Sequence, residues 1–137
     1  MTGRVHQAGS RWQAAGFTLL ELMIVISIII ILAAITLPQY QKTIMHTRET
    51  VLRDDLRQFR ILIDQFAADK GRLPQSLDEL VSERYMREVP VDPFTGQKDW
   101  AVTMGEDPNS LQGESGMTDV HSASADTSSE GTPYSEW

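Results

Sequence analysis

Residues 16–38 read GFTLLELMIVISIIIILAAITLP, and the organisation of the whole chain follows from this segment. Between Phe17 and Leu37, nearly all of the 21 residues are Leu, Ile, Val, Met, Ala or Phe. A helix of about 20 apolar residues crosses a hydrocarbon core of roughly 30 Å. The segment therefore predicts a membrane-spanning helix over residues 17–37.

Glu21 is the one ionisable residue inside this apolar run. A carboxylate at membrane depth costs roughly 3 kcal/mol even by the lower estimates, so it needs a partner or a route to water. Because Glu21 lies near the start of the run, its side chain could reach the membrane interface. Alternatively, an amine at the end of a neighbouring helix could neutralise it.

Residues 1–16 form a polar leader without an apolar core of its own. In an ordinary secretory signal, cleavage follows the apolar core. Here the small residues Ala14, Ala15 and Gly16 precede the core instead. The arrangement indicates a processing site in front of the helix, and a cleaved signal peptide or simple N-terminal anchor is the alternative. Basic residues flank both ends of the run, so their count does not fix the orientation.

Residues 38–70 are predicted to continue the helix in amphipathic form. Pro38 would kink or locally open it. Beyond Pro38, apolar residues recur every three or four positions, which is typical of one buried helix face. Alternatively, this apolar face could pair with a partner helix in a coiled coil, although only two heptads are regular. The apolar positions are Leu52, Leu56, Phe59, Leu62, Ile63 and Phe66.

Residues 71–137 are predicted to form a small head. Ser76 and Glu79 have the capping-box spacing, so a short helix should run to about residue 83 or 85. Residues 90–96 are a turn-rich connection. In residues 98–104, Trp100, Val102 and Met104 alternate as in a half-buried strand, and residues 117–121 are the expected antiparallel partner. The predicted fold class is α+β.

Composition excludes several functions. The chain has 137 residues, room for one domain, and a net charge of −7. An acidic chain without a basic face is a poor nucleic-acid binder. It contains no cysteine, so disulfides and thiolate metal sites are excluded. No catalytic or nucleotide-binding motif occurs, and an enzyme is not expected.

The motif Gly16-Phe17-Thr18-Leu19-Leu20-Glu21 resembles the processing signal of type IV pilins and type II secretion pseudopilins. The resemblance implies that a prepilin peptidase cuts after Gly16 and N-methylates Phe17. It also implies that Glu21 sets the register between subunits by pairing with the Phe17 amine of the next one. A single-pass protein of the bacterial inner membrane, with its head in the periplasm, is expected.

The C-terminal part is similar to the G-type, major pseudopilins. The similarity lies in residues 90–94 and, more loosely, in residues 119–137, and the missing cysteines depart from most type IVa pilins. In that group the loop binds calcium, which implies a possible Ca²⁺ site, and a mobile solvated tail is the alternative. Tyr134 and Trp137 favour a docked loop. The implied calcium ligands are Asp119, Ser124, Asp126 and Glu130.

The resemblance implies a structural subunit that polymerises into a type II secretion pseudopilus and requires no cofactor. Its expected partners are copies of itself, the prepilin peptidase, other pseudopilins and the inner-membrane assembly platform. One alternative is a type IV pilin or minor pilin. The other is a membrane-anchored periplasmic domain that never polymerises.

Overall fold

The computed structural model describes residues 1–3, 16–108, 110–111 and 113–137. It contains the helix α1 (Leu19–Lys70), the helix α2 (Leu77–Ser82), the strands β1 (Ala101–Glu106) and β2 (Ser115–His121), and a 3-10 turn at Tyr134–Glu136. The predicted α+β class is confirmed. The chain divides into two compact units, residues 1–39 and residues 40–137.

The first unit contains the apolar beginning of α1. Every side chain from residue 19 to residue 39 is exposed within the chain. Ser27 and Thr36 donate hydrogen bonds to the carbonyls of Met23 and Leu32, so their hydroxyls are satisfied inside the helix. Among the described residues, α1 is the one helix long and apolar enough to cross a membrane.

Pro38 lies inside α1 and does not end it. Proline removes a backbone donor and crowds the carbonyl four residues earlier, which marks the position as a local weakness in the helix. At its C-terminal end α1 stops at Lys70. Gly71 adopts a φ of +71° and its N–H bonds to the carbonyl of Ala67 at 2.9 Å, as in a glycine-terminated helix.

The hydrophobic core lies entirely in the second unit. Its largest contribution comes from the predicted apolar face of α1, and those six positions are all buried. The expected packing of this helix on its own domain is confirmed. The core residues are Leu52, Leu56, Phe59, Leu62, Ile63, Phe66, Leu73, Leu77, Leu80, Val89, Trp100, Met117, Val120 and Tyr134.

The helix α2 begins as its sequence predicts. Ser76 is the N-cap, and its Oγ accepts a hydrogen bond from the N–H of Glu79 at 3.2 Å. The Glu79 carboxylate accepts from the N–H of Gln75 at 2.6 Å and pairs with Arg72 at 2.5 Å. Both contacts tie the start of α2 to the chain that follows α1.

The two strands pair antiparallel, as predicted, from Ala101 opposite His121 to Glu106 opposite Ser115. A bulge interrupts the register after Thr103. Thr118 is the extra residue, and its hydroxyl donates to the Thr103 carbonyl at 3.1 Å.

The predicted half-buried character of residues 98–104 is wrong for β1. Val102 and Met104 are 38% and 49% exposed, whereas Trp100, which precedes the strand, is buried. In this two-stranded sheet β2 supplies the buried side chains, and β1 supplies none. Trp100 packs edge-on against Phe59 and its indole N–H bonds to the Pro90 carbonyl at 2.8 Å.

Candidate functional site: the N-terminal junction and the C-terminal loop

The bond between Gly16 and Phe17 lies in non-helical backbone just before α1. Phe17 is 86% exposed. A β-carbon added to Gly16 would meet no described atom within 4 Å. The described residues therefore offer no steric obstacle to an enzyme that cuts this bond.

Thr18 caps α1. Its carbonyl accepts a hydrogen bond from the N–H of Leu22, and its Oγ1 accepts one from the N–H of Glu21, both at 3.2 Å. This is the geometry of a helix N-cap. Glu21 consequently lies in the first turn of α1, where the helix dipole favours a negative charge.

Glu21 is exposed, and within the part of the chain that the structure describes no cation pairs with its carboxylate. The Phe17 amine exists only after cleavage, so the Glu21–Phe17 pair stays a prediction. Cleavage after Gly16 and methylation of Phe17 stay predictions too. Residues 4–15 of the predicted leader lie outside the described residues.

Glu49 on α1 forms the central contact with the C-terminal loop, residues 122–137. Its side chain is 3% exposed. One carboxylate oxygen accepts hydrogen bonds from the Ser129 N–H at 2.6 Å and the Tyr134 hydroxyl at 2.9 Å. The other accepts from the Ser129 hydroxyl at 2.6 Å. The loop thus satisfies both oxygens of a buried carboxylate.

The surroundings of Glu49 keep it ionised. Burial alone would raise its pKa, but the hydrogen bonds from Ser129 and Tyr134 and the nearby charge of Arg53 outweigh burial. The pKa of Glu49 therefore lies below its ordinary value. Tyr134 shows the complementary effect, since burial and its hydrogen bond to Glu49 raise the pKa of its hydroxyl to about 12.

Aromatic rings fix the end of the C-terminal loop. Tyr134 is 1% exposed and stacks on Phe94 with ring centroids 3.8 Å apart. Trp137 packs edge-on against Tyr134 at 5.1 Å, and the Arg53 guanidinium lies 4.3 Å from the centre of the Trp137 ring. The predicted docking of the two aromatic residues is confirmed.

Asp92 joins the turn after Pro90 to the C-terminal loop. It is fully buried, and its carboxylate accepts hydrogen bonds from the Ser122 hydroxyl at 2.5 Å and the Phe94 N–H at 2.8 Å. A second turn bond runs from the Gly96 N–H to the Asp92 carbonyl at 2.8 Å. The Phe94 ring is thereby placed for its stacking on Tyr134.

The four implied calcium ligands do not surround a common point. Asp119 pairs with Arg60 at 2.8 Å and Glu130 pairs with Arg53 at 2.9 Å. Burial would raise the pKa of Asp119, but Arg60 and the Val120 N–H keep it below the ordinary value. Among the described residues, no group of three or more acidic or histidine side chains is placed to hold a metal ion.

This arrangement does not fit a calcium ion, which takes six to eight oxygen ligands. The Ser124 hydroxyl is also engaged, since it accepts from the Asp126 N–H at 3.2 Å. Calcium binding stays a prediction.

The sequence pattern does not single out Glu49, although it carries a signal. Glu49 lies three residues before Leu52 and thus extends the apolar face of α1 by one turn. A carboxylate on a buried face needs polar partners. Those partners, Ser129 and Tyr134, lie 80 and 85 residues away, so no local spacing identifies them.

An apolar helix capped directly behind an exposed Gly–Phe bond, followed by a small α+β head, defines the prepilin-like proteins. The family model described as the prokaryotic N-terminal methylation motif matches residues 13–37. The type II secretion system core protein G of Pseudomonas aeruginosa is 31% identical over 100 residues, which cover 61% of this chain and 70% of that protein. The chain belongs to the pseudopilin and pilin-like family and is most similar to its G-type members.

Type IV pilins match a shorter part of the chain. The type IV major fimbrial protein FimA of Dichelobacter nodosus is 46% identical over 54 residues, which cover 39% of this chain and 35% of that protein. The type IV major alpha-pilin of Moraxella bovis is 45% identical over 64 residues, 47% of this chain and 40% of that protein. No solved structure matches the chain.

Proposed function

We propose that this chain is a structural subunit of a type II secretion pseudopilus, cleaved after Gly16, N-methylated at Phe17 and polymerised through residues 17–37. The observation that carries the proposal is the apolar first part of α1, whose side chains are all exposed within the chain. Such a surface is stable only in lipid or against other apolar helices. A subunit that waits in the membrane and then joins a helical filament uses both environments.

The same proposal defines location and partners. The protein spans the inner membrane once, with its head in the periplasm, and becomes part of a periplasmic filament. It contacts copies of itself, the prepilin peptidase, other pseudopilins and the inner-membrane assembly platform. Its role is structural, so it requires neither a catalytic group nor a cofactor.

Mass spectrometry of the mature N-terminus tests the processing step. In cells with an active prepilin peptidase, the mature chain should begin with a methylated Phe17. In matched cells without the peptidase it should keep residues 1–16. A chain that keeps its leader in the presence of the peptidase would refute the proposal. A mature chain that is not methylated and does not polymerise would favour the membrane-anchored periplasmic domain.

A type IV pilin or minor pilin is the second candidate, favoured by the 46% and 45% identity to the two pilins over their matched segments. The match to core protein G, which covers 70% of that protein, favours the pseudopilus. Deleting the gene should abolish export of secreted proteins and leave surface pili intact. The reverse result would support the pilin.

A further inference from the structure

The C-terminal loop is attached to α1 by three acidic side chains, and each has a different environment. Glu49 is buried and accepts hydrogen bonds from the loop itself. Glu130 and Asp119 belong to the loop and its preceding strand, and each pairs with an arginine of α1. Each of these three carboxylates therefore has a partner within the chain.

These contacts differ in strength. The side chains of Arg53 and Glu130 are 51% and 64% exposed, and exposed ion pairs contribute little to stability. The Glu49 carboxylate is nearly inaccessible to water and accepts three short hydrogen bonds. Hydrogen bonds to a buried charge are stronger than neutral ones, and their loss leaves the charge unsatisfied. Glu49 should therefore contribute more to the attachment of the loop than the exposed Arg53–Glu130 pair does.

Among the described residues, no three acidic or histidine side chains form a set of ligands for a divalent cation, although the Asp126 carboxylate has no ion pair. To bind Asp119 and Glu130 it would have to displace the guanidinium groups of Arg60 and Arg53, at 2.8 and 2.9 Å. Calcium also needs several further oxygens. The nearby hydroxyls of Ser122 and Ser124 already take part in hydrogen bonds, to Asp92 and within the loop.

We propose that the C-terminal loop of this chain is closed without a cation. Glu49 is an internal anion that the loop binds through Ser129 and Tyr134. Arg53 and Arg60 neutralise Glu130 and Asp119, two of the three carboxylates that the resemblance implies as calcium ligands. The buried carboxylate of Glu49 thereby holds in place the loop that, by the family resemblance, would bind calcium.

Hydrogen exchange of the protein with its complete α1 and head, held in detergent, tests the role of Glu49 directly. In Glu49→Gln, amides of residues 122–137 should exchange roughly tenfold faster or more, because a charged hydrogen-bond acceptor is lost. Asp54→Asn is the matched control, since Asp54 is an exposed acid on the same helix. It should leave the exchange of the loop unchanged. Equal exchange in the two variants would overturn the proposal.

Metal dependence provides the second arm. Added calcium and an excess of a calcium chelator should both leave the melting temperature and loop exchange of the wild type unchanged. A higher melting temperature with calcium, or an open loop with the chelator, would overturn the proposal. Should Glu49→Gln fail to fold, Ser129→Ala and Tyr134→Phe each remove one hydrogen bond and should each speed exchange in the loop. Detergent-held monomers report on the loop whether or not the protein forms filaments.

Discussion

The acidic side chains of Glu21 and Glu49, both on α1, have different partners. Glu49 is satisfied inside the chain, where the C-terminal loop donates three hydrogen bonds to it. Glu21 has no cationic partner among the described residues and lies in a run of exposed apolar side chains. Its compensation has to come from water at the interface or from another molecule.

We expect Glu21→Ala to be cleaved and inserted normally but to lose filament assembly. The reason is that a Phe17 amine buried in the filament would lack its partner, and breaking such a pair costs about 3–5 kcal/mol. Cross-linking and pelleting of assembled filaments measure the effect. Glu136→Ala, which removes an exposed acid of the head, should assemble like the wild type. Normal assembly of Glu21→Ala would show that Glu21 only reaches the membrane interface.

Tyr134 should make the head sensitive to alkaline pH. Burial and the contact with Glu49 raise the pKa of Tyr134 from 10.0 to about 12. Because the folded-state pKa is the higher one, this stabilisation is complete below the unfolded pKa and is lost as the pH rises from about 10 to about 12. Denaturant unfolding at rising pH should show wild type losing stability faster than Tyr134→Phe. Parallel curves for the two proteins would contradict the assignment.

For the individual helices and strands, sequence periodicity and capping residues predicted the features that depend on neighbouring residues. The buried face of α1, the Ser76 cap of α2 and the pairing of the two strands all follow from spacing and capping residues. The burial of β1 did not follow, because an alternating pattern indicates one covered face, and β1 has none. Trp100 was correctly expected to be buried, but it lies just outside the strand.

The paired glycines of the hairpin, Gly105 and Gly116, should respond differently to alanine. A β-carbon on Gly116 would overlap the Leu73 β-carbon and approach the Pro74 carbonyl oxygen to 3.2 Å. These atoms are fixed by the backbone, so Gly116→Ala should reduce the free energy of unfolding by about 1–3 kcal/mol.

Gly105→Ala is the matched comparison, because its β-carbon meets only the Thr118 side chain, at 2.8 Å from the γ-methyl. Rotation of Thr118 relieves this contact at the cost of one hydrogen bond, from its hydroxyl to the Thr103 carbonyl, so the loss should be smaller. Thermal or denaturant unfolding should therefore rank the two variants clearly. Equal losses of unfolding free energy would mean that the backbone at Leu73 and Pro74 shifts as easily as the Thr118 side chain.

Over the chain as a whole, the sequence predicted the separation of an apolar segment from a polar head, but not the long-range contacts. Charge and hydropathy separate an apolar segment from a polar head, and the two compact units follow that separation. The contacts of β2 and the C-terminal loop with Glu49, Arg53 and Arg60 join residues 59 to 85 positions apart. No periodic pattern reaches that far, so only the folded chain identifies them.

The second unit should fold without the first. All core residues lie between Leu52 and Tyr134, and the described residues up to Gln39 contribute no buried side chain. We expect a fragment of residues 40–137 to be soluble and monomeric and to unfold cooperatively. Phe59→Ala in this fragment should cost about 3–5 kcal/mol, because it opens a cavity beneath Trp100. Circular dichroism melts measure both, and a fragment without a cooperative transition would contradict the expectation.

The distance along the chain between Glu49 and Ser129, 80 residues, has a consequence for biosynthesis. Until residue 129 has been translated, the carboxylate of Glu49 has neither of its Ser129 donors, and the C-terminal loop does not yet cover it. We therefore expect a chain truncated before residue 129 to lack these donors to a buried carboxylate and to be cut by proteases more readily than the full chain.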